Sequence, residues 1–248
     1  MSVLVYAENA GGKFKKSTYE VLSFGYAIAE KTGGSLTVLS IGDVNADELA
    51  KLSKYGASKV LNVTNEKLKS FVNMAYAAVI AEAAKSEDSK VVIMSASFTG
   101  KGLAPRVAVK LEAGLVDGAI SLPETTNGFT VRKGAFSGKA FADVTLTSDI
   151  KVITLMPNSY QVNEHQKESN IVDFNPIVRE LDFMMGAPAR SKAIKKREAE
   201  ARSQQMAAAS PGAVPAGPSV EPDAGSHAPG GAEAVSGDAG IAPVRKEP

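Results

Sequence analysis

Cysteine is absent from the 248 residues, which excludes a disulfide framework and any thiolate metal site. Histidine is nearly absent. His165 sits in a polar run and His227 in a Gly/Pro-rich stretch, and both read as solvated, so neither a histidine-built metal site nor a serine–histidine triad is expected. Charge of one sign is missing too. The 28 Lys and Arg nearly balance the 27 Asp and Glu, and a net charge of +1 argues against bulk electrostatic binding to nucleic acid or membrane. No apolar run approaches the roughly 20 residues that span a bilayer, so membrane insertion is not expected. The opening MSVLVYAENA has neither a basic start nor a long apolar segment, which is unlike a secretory signal. A soluble, cytoplasmic protein is the expectation.

From Gly186 to Pro248 there is no leucine and no aromatic residue, and Ala, Pro and Gly dominate. Such a composition buries too little apolar surface to offset chain entropy. The expected organisation is a folded domain over 1–182 and a disordered tail over 183–248.

Within 1–182, apolar runs alternate with helical periodicity. Strands are expected at Val3–Ala7, Ser35–Ile41, Lys59–Val63 and Val91–Met94. The first helix is expected from Ser17, with Glu20 at capping-box spacing, to about Lys31. A short helix is expected over Asp47–Leu52. A longer one is expected over 67–84, with Leu68, Phe71, Val72, Ala75, Val79 and Ala83 facing the sheet. The organising stretch is 90–122, which reads as strand, loop 95–102, helix 103–113 with Pro105 near its first turn, a stop at Gly114, and strand 116–122. That rhythm implies a parallel sheet covered by helices on both faces. After 122 it changes. Asn127–Gly128 is a turn signal, and the runs 129–136, 139–147 and 150–156 read as an antiparallel extension. Residues 171–183 add a candidate edge strand.

The chemistry-bearing motifs are few. Gly11–Gly12 follows the first strand without matching a phosphate-cradling pattern. Gly100-Lys101-Gly102 before a helix is a candidate anion site, with a capping loop as the equal alternative. Arg106 lies one turn further on and suits a planar partner contact. Glu112 and Asp117 are five residues apart, and solvated charges are the default reading for them. No activated nucleophile and no metal-ligand spacing is visible.

Several segments together carry a family resemblance. They are Val3-Leu4-Val5-Tyr6-Ala7-Glu8, Tyr55-Gly56-Ala57-Ser58-Lys59-Val60-Leu61, Ser97-Phe98-Thr99-Gly100-Lys101-Gly102-Leu103-Ala104-Pro105-Arg106-Val107-Ala108 with Lys110-Leu111 and Gly114-Leu115-Val116, and Arg132-Lys133-Gly134-Ala135-Phe136-Ser137-Gly138-Lys139-Ala140. In this order they resemble the N-terminal domain of the α subunit of electron-transfer flavoproteins, the FixB-type family. The resemblance implies a Rossmann-like α/β fold that packs against a β subunit in a heterodimer. In that family a second domain holds FAD, which relays electrons from flavin dehydrogenases such as the acyl-CoA dehydrogenases of fatty acid beta-oxidation to a quinone oxidoreductase. The implied role is an electron carrier rather than a stand-alone enzyme.

The family's glycine-rich SGGRG, GQTG-like and GISGAIQH-like steps do not follow residue 182. FAD is therefore expected in the complete heterodimer, with no FAD-binding residue carried over to this chain. Either a reading-frame change near 175–186 or a natural disordered tail accounts for the remainder. The other readings are a nucleotide-binding regulator of the universal-stress type and a truncated, flavin-free product. Arg106 and the 97–106 loop, with Ser97, Gly100 and Lys101 in it, are expected at the partner interface, and Lys133 and Lys139 are weaker candidates.

Overall fold

Period-two alternation in the first strand sets up two cores. In β1 (Ser2–Ala7), Val3, Val5 and Ala7 enter one cluster while Leu4 and Tyr6 enter another, and residues 3–7 are buried. A strand buried on both faces belongs at the middle of a covered parallel sheet. The computed structural model, which describes residues 2–184, places it there. Of the disordered tail expected over 183–248, residues 183 and 184 end the last helix and 185–248 lie outside the described residues.

After β1 come the two-residue strands β2 (Asn9–Ala10) and β3 (Lys13–Phe14), then α1 (Lys16–Lys31), β4 (Leu36–Ile41) and α2 (Ala46–Ala50). A 3-10 turn at Lys51–Lys54 leads to β5 (Lys59–Val63), α3 (Asn73–Ser86), β6 (Ser89–Ser95), α4 (Phe98–Leu111) and β7 (Gly114–Ala119). The remaining elements are β8 (Phe129–Ala135), β9 (Ala140–Leu146), β10 (Lys151–Leu155), β11 (Asn170–Asp173) and α5 (Glu180–Met184). Nine strands form one sheet in the order β11-β5-β4-β1-β6-β10-β7-β8-β9, and from β11 to β7 every pairing is parallel. β8 and β9 add the antiparallel extension. α1 packs its Leu22, Phe24 and Ile28 into the first core, while α3 and α4 cover the other face with Val79, Ile80, Leu103 and Val107. The α/β class with helices on both faces is thus as the sequence implies.

Four local expectations are corrected. First, the run at 150–156 is not part of the antiparallel extension. β10 inserts between β6 and β7 and pairs parallel with both. All five of its residues are buried, which is the signature of a central strand. Second, α1 starts at Lys16 and its cap residue Lys15 makes no side-chain cap bond. Ser17 is therefore not the cap, and Glu20 is turned inward, 2% exposed, where it accepts the Asn158 backbone N–H at 2.8 Å. Third, α3 begins at Asn73 because Val72 is extended. Leu68 sits on a separate 3-10 turn, and Phe71 is 38% exposed, its ring edge-on to Tyr76. Fourth, residues 98–102 of the expected loop 95–102 are the opening of α4. Pro105 therefore lies inside the helix, and the helix ends at a left-handed Glu112 (φ 52°) rather than at Gly114. Gly114 is needed for space instead, since a Cβ there would come within 2.6 Å of Ser148 Oγ, the acceptor of its own N–H.

The final described segment is an edge strand, as expected, but a short one. β11 pairs with β5 over Asn170–Asp173, and the chain then turns into α5, which Lys110 holds through Asp182 at 3.3 Å.

Candidate functional site

β1 leads through α1 to β4 on one side and stands beside β6 on the other, so the strand order reverses at the β1–β6 boundary. Ligands of open α/β sheets favour the crevice beyond the carboxyl ends of such strands. Here that crevice is closed by protein groups. Ser97 Oγ donates to Glu8 Oε2 at 2.6 Å and accepts the Gly100 N–H at 3.0 Å, so one hydroxyl both caps α4 and ties β6 to β1. Gly100 is buried, and a Cβ on it would lie 1.8 Å from the Ser95 carbonyl oxygen. The glycine thus lets a helix sit on a strand end. Gly102 works the same way between helices, with a hypothetical Cβ 3.2 Å from Asn73 Oδ1. A carboxylate at the switch point and a filled glycine niche do not fit the pyrophosphate of a flavin dinucleotide.

The sequence-expected interface residues therefore divide. Ser97 is half-buried and Gly100 buried, and both shape the corner. Lys101 and Arg106 are exposed on α4, where Arg106 Nη1 folds back onto the Gly102 carbonyl. Lys133 is half-buried and Lys139 exposed in the β8–β9 hairpin. Glu112 and Asp117 do not converge. Asp117 accepts from Thr154 Oγ1 at 2.6 Å, and that hydroxyl accepts the Gly118 N–H at 2.8 Å. His165 is exposed and stacks on Tyr26 at 4.3 Å.

The sequence reading missed a cleft of about 470 Å³ at the carboxyl ends of β1 and β4, lined by Asn9, Gly12, Gly42, Asp43, Lys69 and Tyr76 among others. Three of its polar side chains are engaged. Asn9 Nδ2 donates to the Ile41 carbonyl and Tyr76 Oη to that of Leu68, both at 2.8 Å. The hydrogen bond to Glu66 holds the Lys69 ammonium above its ordinary pKa. Phe98 lies within the expected 97–106 loop, though the sequence reading does not single it out, and it is 98% exposed. A phase argument finds it, because the buried positions of α4 are 100, 103, 104, 107, 108 and 111, and Phe98 falls outside that stripe.

Among the described residues no group of His, Asp and Glu is placed to hold a metal ion. No helix there is long and apolar enough to cross a membrane.

The comparisons with known proteins point one way. The model of the electron transfer flavoprotein domain matches residues 3–202. The electron transfer flavoprotein subunit alpha of Bacillus subtilis is 31% identical over 163 residues, covering 65% of this chain and 49% of that protein. Protein FixB of Clostridium saccharobutylicum is 33% identical over 144 residues, 57% of this chain and 43% of its own length. The acryloyl-CoA reductase electron transfer subunit beta of Anaerotignum propionicum is 32% identical over 114 residues, 46% and 31% of the two chains. The chain spans half or less of the length of these curated relatives.

Proposed function

The chain belongs to the electron transfer flavoprotein domain family, on its alpha-type side, and we propose that it is the scaffold half of a two-subunit electron carrier. The observation that carries this is the match over residues 3–202, on a parallel sheet whose switch-point crevice is closed by its own side chains. In this reading the chain pairs with a beta-type subunit. FAD belongs to the complete heterodimer and lies away from residues 2–184, where the crevice geometry does not suit it. Electrons pass from flavin dehydrogenases, the acyl-CoA dehydrogenases of fatty acid beta-oxidation among them, to a quinone oxidoreductase in the cytoplasmic compartment. The chain carries electrons as part of that complex and transforms no substrate of its own. Lys101 and Arg106 supply partner contacts from α4, on a corner that Ser97 and Gly100 set rigidly, and Lys133 and Lys139 supply further ones.

The test is co-expression of the full chain with a tagged beta-type subunit from the same source. The expected outcome is a one-to-one complex that elutes yellow and releases flavin on denaturation. A beta-type subunit that purifies without this chain overturns the reading.

A further inference from the structure

Four large apolar side chains stand out of the sheet's carboxyl edge between β6 and β9. Phe98 follows β6 and is 98% exposed, and Met156 follows β10 at 37%. Phe136 and Phe141 are 82% and 68% exposed in the β8–β9 hairpin. The sheet order β6-β10-β7-β8-β9 lines these elements up along one side of the molecule.

The hairpin reaches that edge by overshooting the sheet. Lys151, the first residue of β10, lies 5.7 Å from the Phe129 ring, so β8 starts level with the amino ends of the parallel strands. By Lys133 it has drawn level with Ala119, the last residue of β7. The hairpin between Lys133 and its cross-strand partner Ala142 runs past the edge. Gly134 faces Phe141 across the hairpin and has nothing within 4 Å of where its Cβ would be, so no side chain covers that ring from the partner strand. At the tip Phe136, Ser137 and Gly138 all have positive φ. L-residues avoid this conformation, and such strain gathers at binding and switch segments.

Three lysines stand beside this row. Lys101 and Lys139 are exposed and Lys133 half-buried, and none has an ion-pair partner among the described residues. The carboxylates on this side are engaged within the chain. Ser97 donates to Glu8, Thr154 to Asp117, and Arg132 holds Asp143 through two bonds of 2.8 Å.

We infer that this edge, from Phe98 through Met156 to Phe136 and Phe141, is the docking face for the beta-type subunit, which meets it with an apolar centre bordered by carboxylates. The inference rests on the heterodimer reading above. A second copy of this chain does not suit the face, because an isologous contact would set Lys101, Lys133 and Lys139 against the same three lysines.

The experiment titrates the purified full chain with the beta-type subunit from the same source by calorimetry, and records the oligomeric state of each alone. The Phe136→Ser/Phe141→Ser double variant should weaken binding by roughly 30-fold or more, the scale of an interface hot spot. Lys133→Glu/Lys139→Glu should weaken it and flatten its salt dependence. Val109→Ser should bind as wild type, since Val109 is 80% exposed on α4 but lies near the opposite edge. All of these positions except the half-buried Lys133 are exposed, and an unchanged urea midpoint verifies that each variant folds. If wild type binds and both double variants bind equally well, the docking face is elsewhere and the heterodimer reading stands. If wild type does not bind, both fall. If the chain alone dimerises and the phenylalanine variant is monomeric, a second copy is the occupant and the proposal is overturned.

Discussion

Replacing Gly100 by alanine sets two principles against each other. Gly100 is inside α4, and by helix propensity alone Gly→Ala stabilises by about 1 kcal/mol. The added Cβ would sit 1.8 Å from the carbonyl oxygen of Ser95 and 3.1 Å from its carbonyl carbon. A comfortable carbon–oxygen contact is about 3.4 Å, so the helix start must retreat from the strand end by roughly 1.5 Å. The obstacle is backbone at the end of a central strand, so it cannot rotate aside. Retreat stretches the 3.0 Å cap bond from the Gly100 N–H to Ser97 Oγ and loosens Ser97 from Glu8. A lost cap costs about 1 kcal/mol and forced overpacking about 1–3 kcal/mol, so the net expectation after the propensity gain is a destabilisation of about 1–3 kcal/mol. Gly102→Ala is the internal control. It carries the same propensity gain, and its Cβ meets side-chain rather than backbone atoms, the nearest being Asn73 Oδ1 at 3.2 Å. It should come out within about 0.5 kcal/mol of neutral or be stabilising. The assay is urea unfolding of the full chain followed by far-UV circular dichroism. A Gly100→Ala protein as stable as wild type or more so would refute the close-approach argument, because propensity would then have won.

Buried polar groups give two more expected outcomes. Thr154 is fully buried and its hydroxyl bridges the Gly118 N–H and Asp117. Thr154→Val keeps the shape and orphans both, so it should cost about 2–3 kcal/mol in the same urea assay, against under 1 kcal/mol if the bridge is dispensable. Asp182 is 3% exposed on α5. Burial raises its pKa, but hydrogen bonds from Arg179 and Lys110 outweigh that and leave the carboxyl below the ordinary aspartate value. A depressed folded pKa contributes stability above the unfolded value, near pH 4, and loses it as pH falls through the folded value. Amide exchange in α5 should therefore be protected at neutral pH and accelerate below about pH 4, and Asp182→Asn should remove that acid dependence. An Asp182→Asn protein with the wild-type acid profile would assign the effect to another group.

The fold class was legible because burial on both faces leaves long apolar strands with helical patterns between them, as in Val91-Val92-Ile93-Met94 followed by Leu103, Val107 and Leu111. The place of β10 was not. Its Val152-Ile153 core is as apolar as that of β6, but it follows a hairpin in sequence, and chain order suggested a third antiparallel strand. Nothing local distinguishes a strand that continues a meander from one that returns to fill the gap between β6 and β7. Complete burial, including Lys151 at 8% exposed, is a tertiary fact. The start of α4 was misread for the opposite reason, since two glycines and a lysine look like a loop until the strand backbone that demands Gly100 is in place.

The same distinction governs the candidate site. Lys101 and Arg106 could be picked out by residue type, and they are exposed. Phe98 falls inside the expected 97–106 loop without being singled out, and Phe136 and Phe141 could not be picked out, because aromatic residues in an α/β domain are ordinarily assigned to its core. Only the phase of α4 and the overshoot of the hairpin turn them outward. Hydrophobic residues that local geometry keeps out of two well-filled cores represent a cost the isolated domain has no means to offset, and a partner surface offsets it. The apolar row at the carboxyl edge is thus a stronger sign of partnership than the cations beside it, whose exposure solvent alone explains.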